Sequence, residues 1–375
     1  MREVVLLGVG MHKFGRWPDK SVEDLGQEAI LKALEDAGIE FKDIEAAYCG
    51  RVLGNIGSGL RVVSRVGMTG IPITNVEAGC SAGTRAAMAA CDAIAAGRYD
   101  VCLAVGFEKM GKGLIPMEGA EPSYEDLMGF AVNPALYALH IRRHMERYGT
   151  TREQIAKASV IGHENAALNP YAQHQQAMTL EQVLNSTMIC DPITLYMCSP
   201  TSDGASACIL CSKEKASKFK GHPITISGWA GGSPIYSSET GPVLGNEDET
   251  HARVAKEAYE MAGIGPQDVD VCQLHDAFAS AAIYEVENLG FCRKGEGGPF
   301  IWEGNTQITG KIPTNTDGGL VGRGHPLGAT GIAQMAEIAW QLRGEAGKRQ
   351  IGGNPKVGLA HNAGLGGVSV MVLNK

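Results

Sequence analysis

Val76-Glu77-Ala78-Gly79-Cys80-Ser81-Ala82-Gly83 sets a cysteine on a glycine-lined turn, and the alanine-rich stretch after it, Thr84 to Gly97, reads as a helix. A thiol at a helix start meets unpaired backbone N–H groups and the positive end of the helix dipole. Both favour the thiolate, the nucleophilic form. The chain has ten cysteines, so a buried, inert thiol is the competing reading. Three further stretches argue against it. They are Leu274-His275-Asp276-Ala277-Phe278; Asn315-Thr316-Asp317-Gly318-Gly319, running into Gly324-His325-Pro326-Leu327-Gly328-Ala329-Thr330-Gly331; and Ala360-His361-Asn362-Ala363-Gly364-Leu365-Gly366-Gly367. Each sets a histidine on a short turn among small residues or at the end of an apolar run, where loops carry function. One cysteine with separated histidines is the pattern of nucleophilic catalysis, because the fold brings the partners together.

Bulk properties narrow the classes. A chain of 375 residues holds two domains or one large layered unit with a substantial core. Glycine is frequent, at 50 residues, and aromatics make up only 6%, which fits closely packed helices and strands with backbone-lined sites. A net charge of −8 and no dense Lys/Arg block argue against a nucleic-acid face. No apolar stretch approaches the roughly twenty residues that span a bilayer. Val4 to Met11 is too short for a secretory signal and reads as a first strand. The Asn374-Lys375 end is not a peroxisomal address. A cytoplasmic setting is therefore expected, where disulfides are disfavoured. Cys208 and Cys211 have C-x-x-C spacing but lie in the apolar run Ala205 to Cys211. On a strand they face opposite sides, which is wrong for one zinc, so no metal is expected in this chain.

The order of elements suggests a duplication. Val4 to Gly10 reads as a strand and Val22 to Ala37 as an amphipathic helix closed by Gly38. Cys80 opens the helix to Gly97, and Val101 to Phe107 is a buried strand. In the second half, Ile224 to Trp229 repeats the strand and Glu249 to Ala262, closed by Gly263, the helix. A helix from Gly328 to Arg343 follows His325, with closing strands at Lys356 to Ala360 and Val368 to Leu373. Cys80 and His325 thus occupy corresponding places. Between the halves lies an insertion, Lys112 to Thr201, rich in Met, His, Gln and Asn. Its only i, i+4 histidine pair, His140 and His144, flanks Arg142 and Arg143 and reads as a solvated helical face rather than a ligand set.

Taken together, the four motifs, in order over the whole chain, resemble the thiolase superfamily. The Cys80 turn looks like its nucleophile motif and His325 sits in its Gly-His-Pro motif. His275-Asp276-Ala277-Phe278 stands where many thiolases have Asn-Glu-Ala-Phe, which points to the sterol-carrier-protein-2-type and archaeal-type branch. The resemblance implies an α/β thiolase fold: duplicated halves in a five-layered αβαβα arrangement with an inserted loop domain covering the acyl-CoA. The halves would be 1–111 plus 202–221 and 222–375, with the loop domain at 112–201.

The resemblance also implies a reaction, reversible Claisen chemistry on coenzyme A thioesters through an acyl-Cys80 intermediate, with coenzyme A as co-substrate. His325 would activate Cys80 and donate to the enolate oxygen, with His275 beside it. A second oxyanion site would come from the backbone of Cys80 and of the glycine-rich turn after His361, at Ala363 and Gly364. Most thiolases carry a second cysteine at the position of His361. Others of the sterol-carrier-protein-2 type supply one from His-Asp-Cys-Phe, where this chain has Ala277. Either His361 is the second acid/base, since imidazole titrates near working pH, or a cysteine such as Cys198 reaches in. A purely structural His361 is the plainer alternative.

The His-Asp-Ala-Phe version resembles members that work with a small zinc-binding, OB-fold-like partner. These include archaeal-type acetoacetyl-CoA thiolases and aromatic-degradation subunits of the benzoylsuccinyl-CoA type, which implies a bulky or aromatic 3-oxoacyl-CoA among the candidates. The partner, not this chain, would carry the zinc. A homodimer core is implied as well. The rival readings are a ketoacyl or hydroxymethylglutaryl-CoA synthase, and a non-catalytic acyl carrier or scaffold.

Overall fold

Strands buried along their whole length need cover on both faces, and that requirement organises this chain. The computed structural model describes residues 2–113, 127–129, 132–235, 247–364 and 367–375. Its strands are β1 (Val4–Met11), β2 (Ala46–Gly50), β3 (Ile73–Val76), β4 (Val101–Glu108), β5 (Met188–Cys190), β6 (Ile193–Thr194), β7 (Gly204–Ser212), β8 (Ile224–Gly232), β9 (Val271–Gln273), β10 (Val357–Gly364) and β11 (Gly367–Asn374). Nine of them hydrogen-bond in the order β3-β2-β4-β7-β1-β8-β11-β10-β9. The halves join through a three-residue antiparallel pairing of β1 and β8, Val4 to Leu6 against Ile226 to Ile224.

Side-chain alternation then assigns the layers. Val5 and Leu7 of β1 join a core with Leu25, Ala29 and Ile30 of helix α1 (Val22–Ala37). Val4 and Leu6 point the other way. They share a second core with Ala87 and Cys91 of α2 (Ala82–Ala95), and with Ile332, Met335 and Leu342 at the other end of the chain. Ala360 and Met371 of the second half enter this same core. The central helices are therefore covered by both halves of the sheet. A third core lies beyond the second half, where Leu359 and Val370 meet Val254 and Ala258. The resulting sequence is helix, sheet, paired helices, sheet, helix, and the fold is the α/β arrangement expected. Cys208 and Cys211 fall into different cores.

Local signals account for many boundaries. Ser21 caps α1 with Asp24 in a reciprocal box, and Gly38 closes it in the left-handed region at φ 65. Within the inserted stretch, part of which lies outside the described residues, α3 (Asn133–Tyr148) ends on left-handed Gly149 and α4 (Arg152–Ala166) begins at a Thr151–Gln154 box. Ile141, Ile155 and Val160 of these helices belong to the third core, with α5 (Glu247–Ala262) and α6 (Ala279–Asn288). The last long helix is α7 (Thr330–Arg343).

Two expectations need correction. His140 and His144 do not form a solvated face. The ring of His144 lies buried, 3.0 Å from Glu287 of α6, and His140 stacks on Tyr284 at 4.1 Å between ring centres. Polar side chains on α6 hold what looked, by its charge, like a surface. His361 and the residues after it, through Gly364, continue strand β10 instead of forming a turn. No helix among the described residues is long and apolar enough to cross a membrane.

Candidate active site

Close backbone approach, which only glycine permits, builds the site. Cys80 lies on a tight single turn, Gly79–Ser81, one turn ahead of α2. His325 lies two residues before the corresponding turn, Leu327–Ala329, which leads into α7. A Cβ on Gly106 would fall 2.0 Å from the Gly328 carbonyl oxygen, and one on Gly83 2.4 Å from the same atom. A Cβ on Gly331 would meet Thr84 Oγ1 at 1.9 Å. The beginnings of α2 and α7 therefore touch backbone to backbone, and their two preceding turns meet. From the second half of the sheet, Gly364 closes in, with a Cβ there 2.6 Å from the Cys80 nitrogen.

Cys80 Sγ and one ring nitrogen each of His275 and His325 all lie within 4.8 Å of one another. The His275 and His325 rings meet edge to face at 5.2 Å. His325 is held at two points. Its backbone N–H donates to Ser202 Oγ at 3.0 Å, and Ser202 in turn donates to Gln173 Oε1. Nδ1 lies 2.7 Å from Thr330 Oγ1, whose hydroxyl is directed at the Pro326 carbonyl at 3.0 Å. The hydroxyl proton is thus committed, so the network assigns the imidazole proton to Nδ1 and leaves Nε2 a bare acceptor. Nε2 is buried and without a hydrogen-bond partner. The Nδ1 of His275 is likewise unpartnered.

The Asn-x-x-Gly-Gly run serves the His275 segment. Asn315, at φ 50, accepts the Leu274 N–H on its side-chain oxygen at 2.8 Å. Gly319 leaves room for Asp276, whose Oδ2 would lie 2.4 Å from a Cβ there, and Asp276 accepts the Leu320 N–H at 2.7 Å.

The electrostatics correct one expectation. The Cys80 residue is partly open to solvent, yet its thiol is enclosed, and burial pushes it up to about 12. The charge of Glu108 adds to that effect, and the local backbone N–H pulls only weakly the other way. The resting site does not favour a thiolate, because loss of water outweighs the helix-start donors. Burial also lowers His325 to about 3, assisted by the positive Arg323, and takes His275 well below its ordinary value. The resting pair is a neutral thiol beside neutral imidazoles.

Glu108 carried no signal in the sequence reading. It ends β4, is buried, and accepts the N–H groups of Val52, Leu53 and Gly328 at 3.0, 2.9 and 3.1 Å. Burial raises it to about 7 against the pull of those donors. It ties the loop after β2 to the turn that follows His325.

His361 and Cys198 are placed differently. His361 is fully buried; Nδ1 accepts the His275 backbone N–H at 3.3 Å, and Nε2 lies 3.1 Å from His251 Nδ1. Its second neighbour is Glu285, at 3.6 Å. His251 and Glu285 were also missed, since neither sits in a motif. Cys198 pairs by backbone with Phe278, but its thiol is directed at the Thr194 carbonyl, 3.3 Å away, and burial raises it to about 12.

Comparison with known proteins agrees with this geometry. Residues 4–214 match the model of the thiolase N-terminal domain, and residues 247–374 that of the thiolase C-terminal domain-like family. The chain is 44% identical to an acetyl-CoA acetyltransferase of Methanothermobacter thermautotrophicus, with 99% of each chain covered. It is 38% identical to human sterol carrier protein 2, across 100% of this chain and 72% of that one. Among solved structures, an Ltp2-ChsH2(DUF35) aldolase superposes with a TM-score of 0.88 at 28% identity, covering 99% of this chain and 97% of that one. Human mitochondrial 3-ketoacyl-CoA thiolase shares the fold, with a TM-score of 0.76 at 18% identity over 100% and 99% of the two chains. The chain belongs to the thiolase superfamily, in the branch of the sterol carrier protein 2 and archaeal acetyl-CoA acetyltransferase sequences.

Proposed function

We propose that this chain is a thiolase that cleaves, or in reverse forms, a 3-oxoacyl-CoA with coenzyme A as co-substrate, through an acyl group on Cys80. The observation that carries the reading is the cluster of the Cys80 thiol with one ring nitrogen each of His275 and His325, together with the unpartnered Nε2 of His325.

In the thiolytic direction the Cys80 proton passes to His325 Nε2 as sulfur attacks the 3-oxo carbon. The C2–C3 bond then breaks and its electron pair leaves as the enolate of the departing acyl-CoA, the fragment that holds C1 and C2. That enolate takes a proton at C2 from the imidazolium. Incoming coenzyme A gives its thiol proton to the freed base and attacks the acyl-Cys80 thioester. Cys80 leaves as thiolate and recovers the proton. A nucleophile that is neutral at rest and ionised only as it reacts is what general base catalysis supplies. His275 donates to the thioester or enolate oxygen. The backbone at Cys80, with Ala363 and Gly364 against it, forms the second oxyanion site. Donors of this kind contribute about 3 kcal/mol each. With both nitrogens of His361 engaged and the Cys198 thiol directed at a carbonyl, we assign the proton transfers to His325, with His275 as the hydrogen-bond donor beside it.

Identities of 44% and 40% to two archaeal acetyl-CoA acetyltransferases support a short acyl group. The bulky or aromatic substrate implied by His-Asp-Ala-Phe is the competing specificity. An assembly with a small zinc-binding, OB-fold-like partner draws support from the neighbour named as an Ltp2-ChsH2(DUF35) aldolase. Pairing with a second copy draws support from β3, a part-exposed strand at the sheet edge. The segment leading to it exposes Leu53, Ile56, Leu60 and Met68. That neighbour's name also favours a second reading, retro-aldol cleavage of a 3-hydroxyacyl-CoA, which needs neither an acyl-enzyme nor coenzyme A thiol.

The test is intact mass and peptide mapping after exposure to aliphatic and aromatic 3-oxoacyl-CoAs. A Cys80 adduct discharged by coenzyme A is expected, and the fastest label names the acyl class. Carbon–carbon cleavage without an adduct would favour the aldolase reading. No reaction with or without a co-purified partner would defeat both.

A further inference from the structure

A second buried cluster lies directly behind His275 and belongs to none of the steps above. His251 of α5, Glu285 of α6 and His361 of β10 are all buried. His251 Nδ1 is 2.7 and 2.8 Å from the two oxygens of Glu285. His361 Nε2 is 3.1 Å from His251 Nδ1 and 3.6 Å from Glu285 Oε2. Asn288 donates from Nδ2 to Glu285 at 3.4 Å and to Asp248 at 3.1 Å. Two α-helices and a strand thus converge on one carboxylate, beneath the peptide that carries His275.

Proton bookkeeping gives the cluster a direction. The His275 N–H needs an acceptor, so His361 Nδ1 is bare and its proton sits on Nε2. Nε2–H faces the His251 and Glu285 side, where only an ionised carboxylate can accept from two imidazoles. Burial disfavours that ionised form, but the neighbouring His251 and His361 prevail and hold the carboxyl below its ordinary range. On the inner side, Gln334 of α7 donates to the His361 carbonyl at 3.0 Å, which fixes the backbone from which the ring projects. The 2.7 Å contact is a hydrogen bond, too short for two ligands spread around one zinc.

We propose that Glu285 and His251 are positioning residues for catalysis: they fix the tautomer of His361, whose Nδ1 anchors the backbone N–H of His275 and so aims the His275 ring at Cys80. The inference rests on the assignment of His275 to the reaction. The same logic of a buried carboxylate fixing an imidazole operates in hydrolase triads, but here it acts one residue further back, on a peptide.

The experiment compares E285Q, E285D, H361N, H361Q and H275A in the full-length protein with its best 3-oxoacyl-CoA. Four readouts are taken: kcat against KM, the rate of Cys80 alkylation, melting temperature and bound zinc. E285Q is expected to lower kcat by about 10- to 100-fold, the scale of losing an outer partner of a site residue. KM and Cys80 alkylation stay near wild type, because the Cys80–His325 pair does not touch this cluster, and E285D restores part of kcat. H361N, whose Oδ1 stands near the place of Nδ1, is expected to outperform H361Q. Unchanged kcat in E285Q overturns the proposal, as does a parallel fall of kcat, alkylation and melting temperature, or loss of a bound zinc from E285Q. If H275A turns over normally, the assignment of His275 fails and the proposal with it. If H275A is inactive while E285Q is not, only the proposal fails.

Discussion

Alkylation of Cys80 by iodoacetamide, followed by intact mass from about pH 6 to 9 in wild type and His325→Ala, separates two ways of activating a thiol. A thiol moved from 9.0 to about 12 is ionised about a thousandfold less than an ordinary one at any neutral pH. At pH 8 about one molecule in ten thousand carries a thiolate. The wild-type labelling rate should therefore rise close to tenfold per pH unit with no plateau. A shallow inflection is expected near 7, where Glu108 ionises and opposes the thiolate. His325 is lowered to about 3, so it supplies no positive charge to the resting sulfur. Removing it should change labelling by less than about threefold while acyl transfer falls by about 100- to 10,000-fold, the range of a lost general base. A plateau below pH 8 would refute the reasoning, because it would reveal a preformed thiolate–imidazolium pair. So would equal losses of labelling and turnover in His325→Ala.

Other predictions follow from packing and protonation. Gly106→Ala places a Cβ 2.0 Å from the Gly328 oxygen. It should cost about 1–3 kcal/mol by denaturant titration. It should also lower kcat by about 100-fold, because the His325 turn must shift by an ångström. Asn315→Ala removes the acceptor for Leu274 N–H and puts alanine at φ 50. About 2 kcal/mol of stability should be lost, along with most of kcat. The buried imidazoles His325 and His361 take up protons in the unfolded chain below 6.5, but in the folded chain only near 3 and 4. Each therefore contributes a loss of stability as pH falls from about 6.5 towards 4. His325→Gln and His361→Asn should each make that acid limb shallower by about one proton in urea titrations across pH.

The sequence made some parts legible and hid others for physical reasons. Helix α1 and its ends were readable, because Ser21, Asp24 and Gly38 are local signals whose partners lie within a few residues. The residues of the Cys80–His275–His325 cluster were readable from three short motifs, and the glycines around Cys80 and His325 mark where backbones must touch. Protonation was not. The helix start that favours a thiolate is visible in sequence, but the burial that overrides it is a property of the assembled layers. Glu108, His251 and Glu285 escaped for the same reason: each acts through partners tens to hundreds of residues away, and none carries a local pattern. His140 and His144 were misplaced because a polar helix face packed on a carboxylate-bearing helix has the composition of a surface.

The backbone contact at Gly328 has a consequence for how the protein comes to be made. Nucleophile and base are brought together where Gly83 and Gly106 of the first half receive the Gly328 carbonyl. During synthesis Cys80 leaves the ribosome long before residue 328 exists. Until then the growing chain holds a cysteine with no proton acceptor beside it. The reactive pair exists only once the last helix docks, so an unfinished copy lacks the base-assisted acyl transfer however exposed its thiol is.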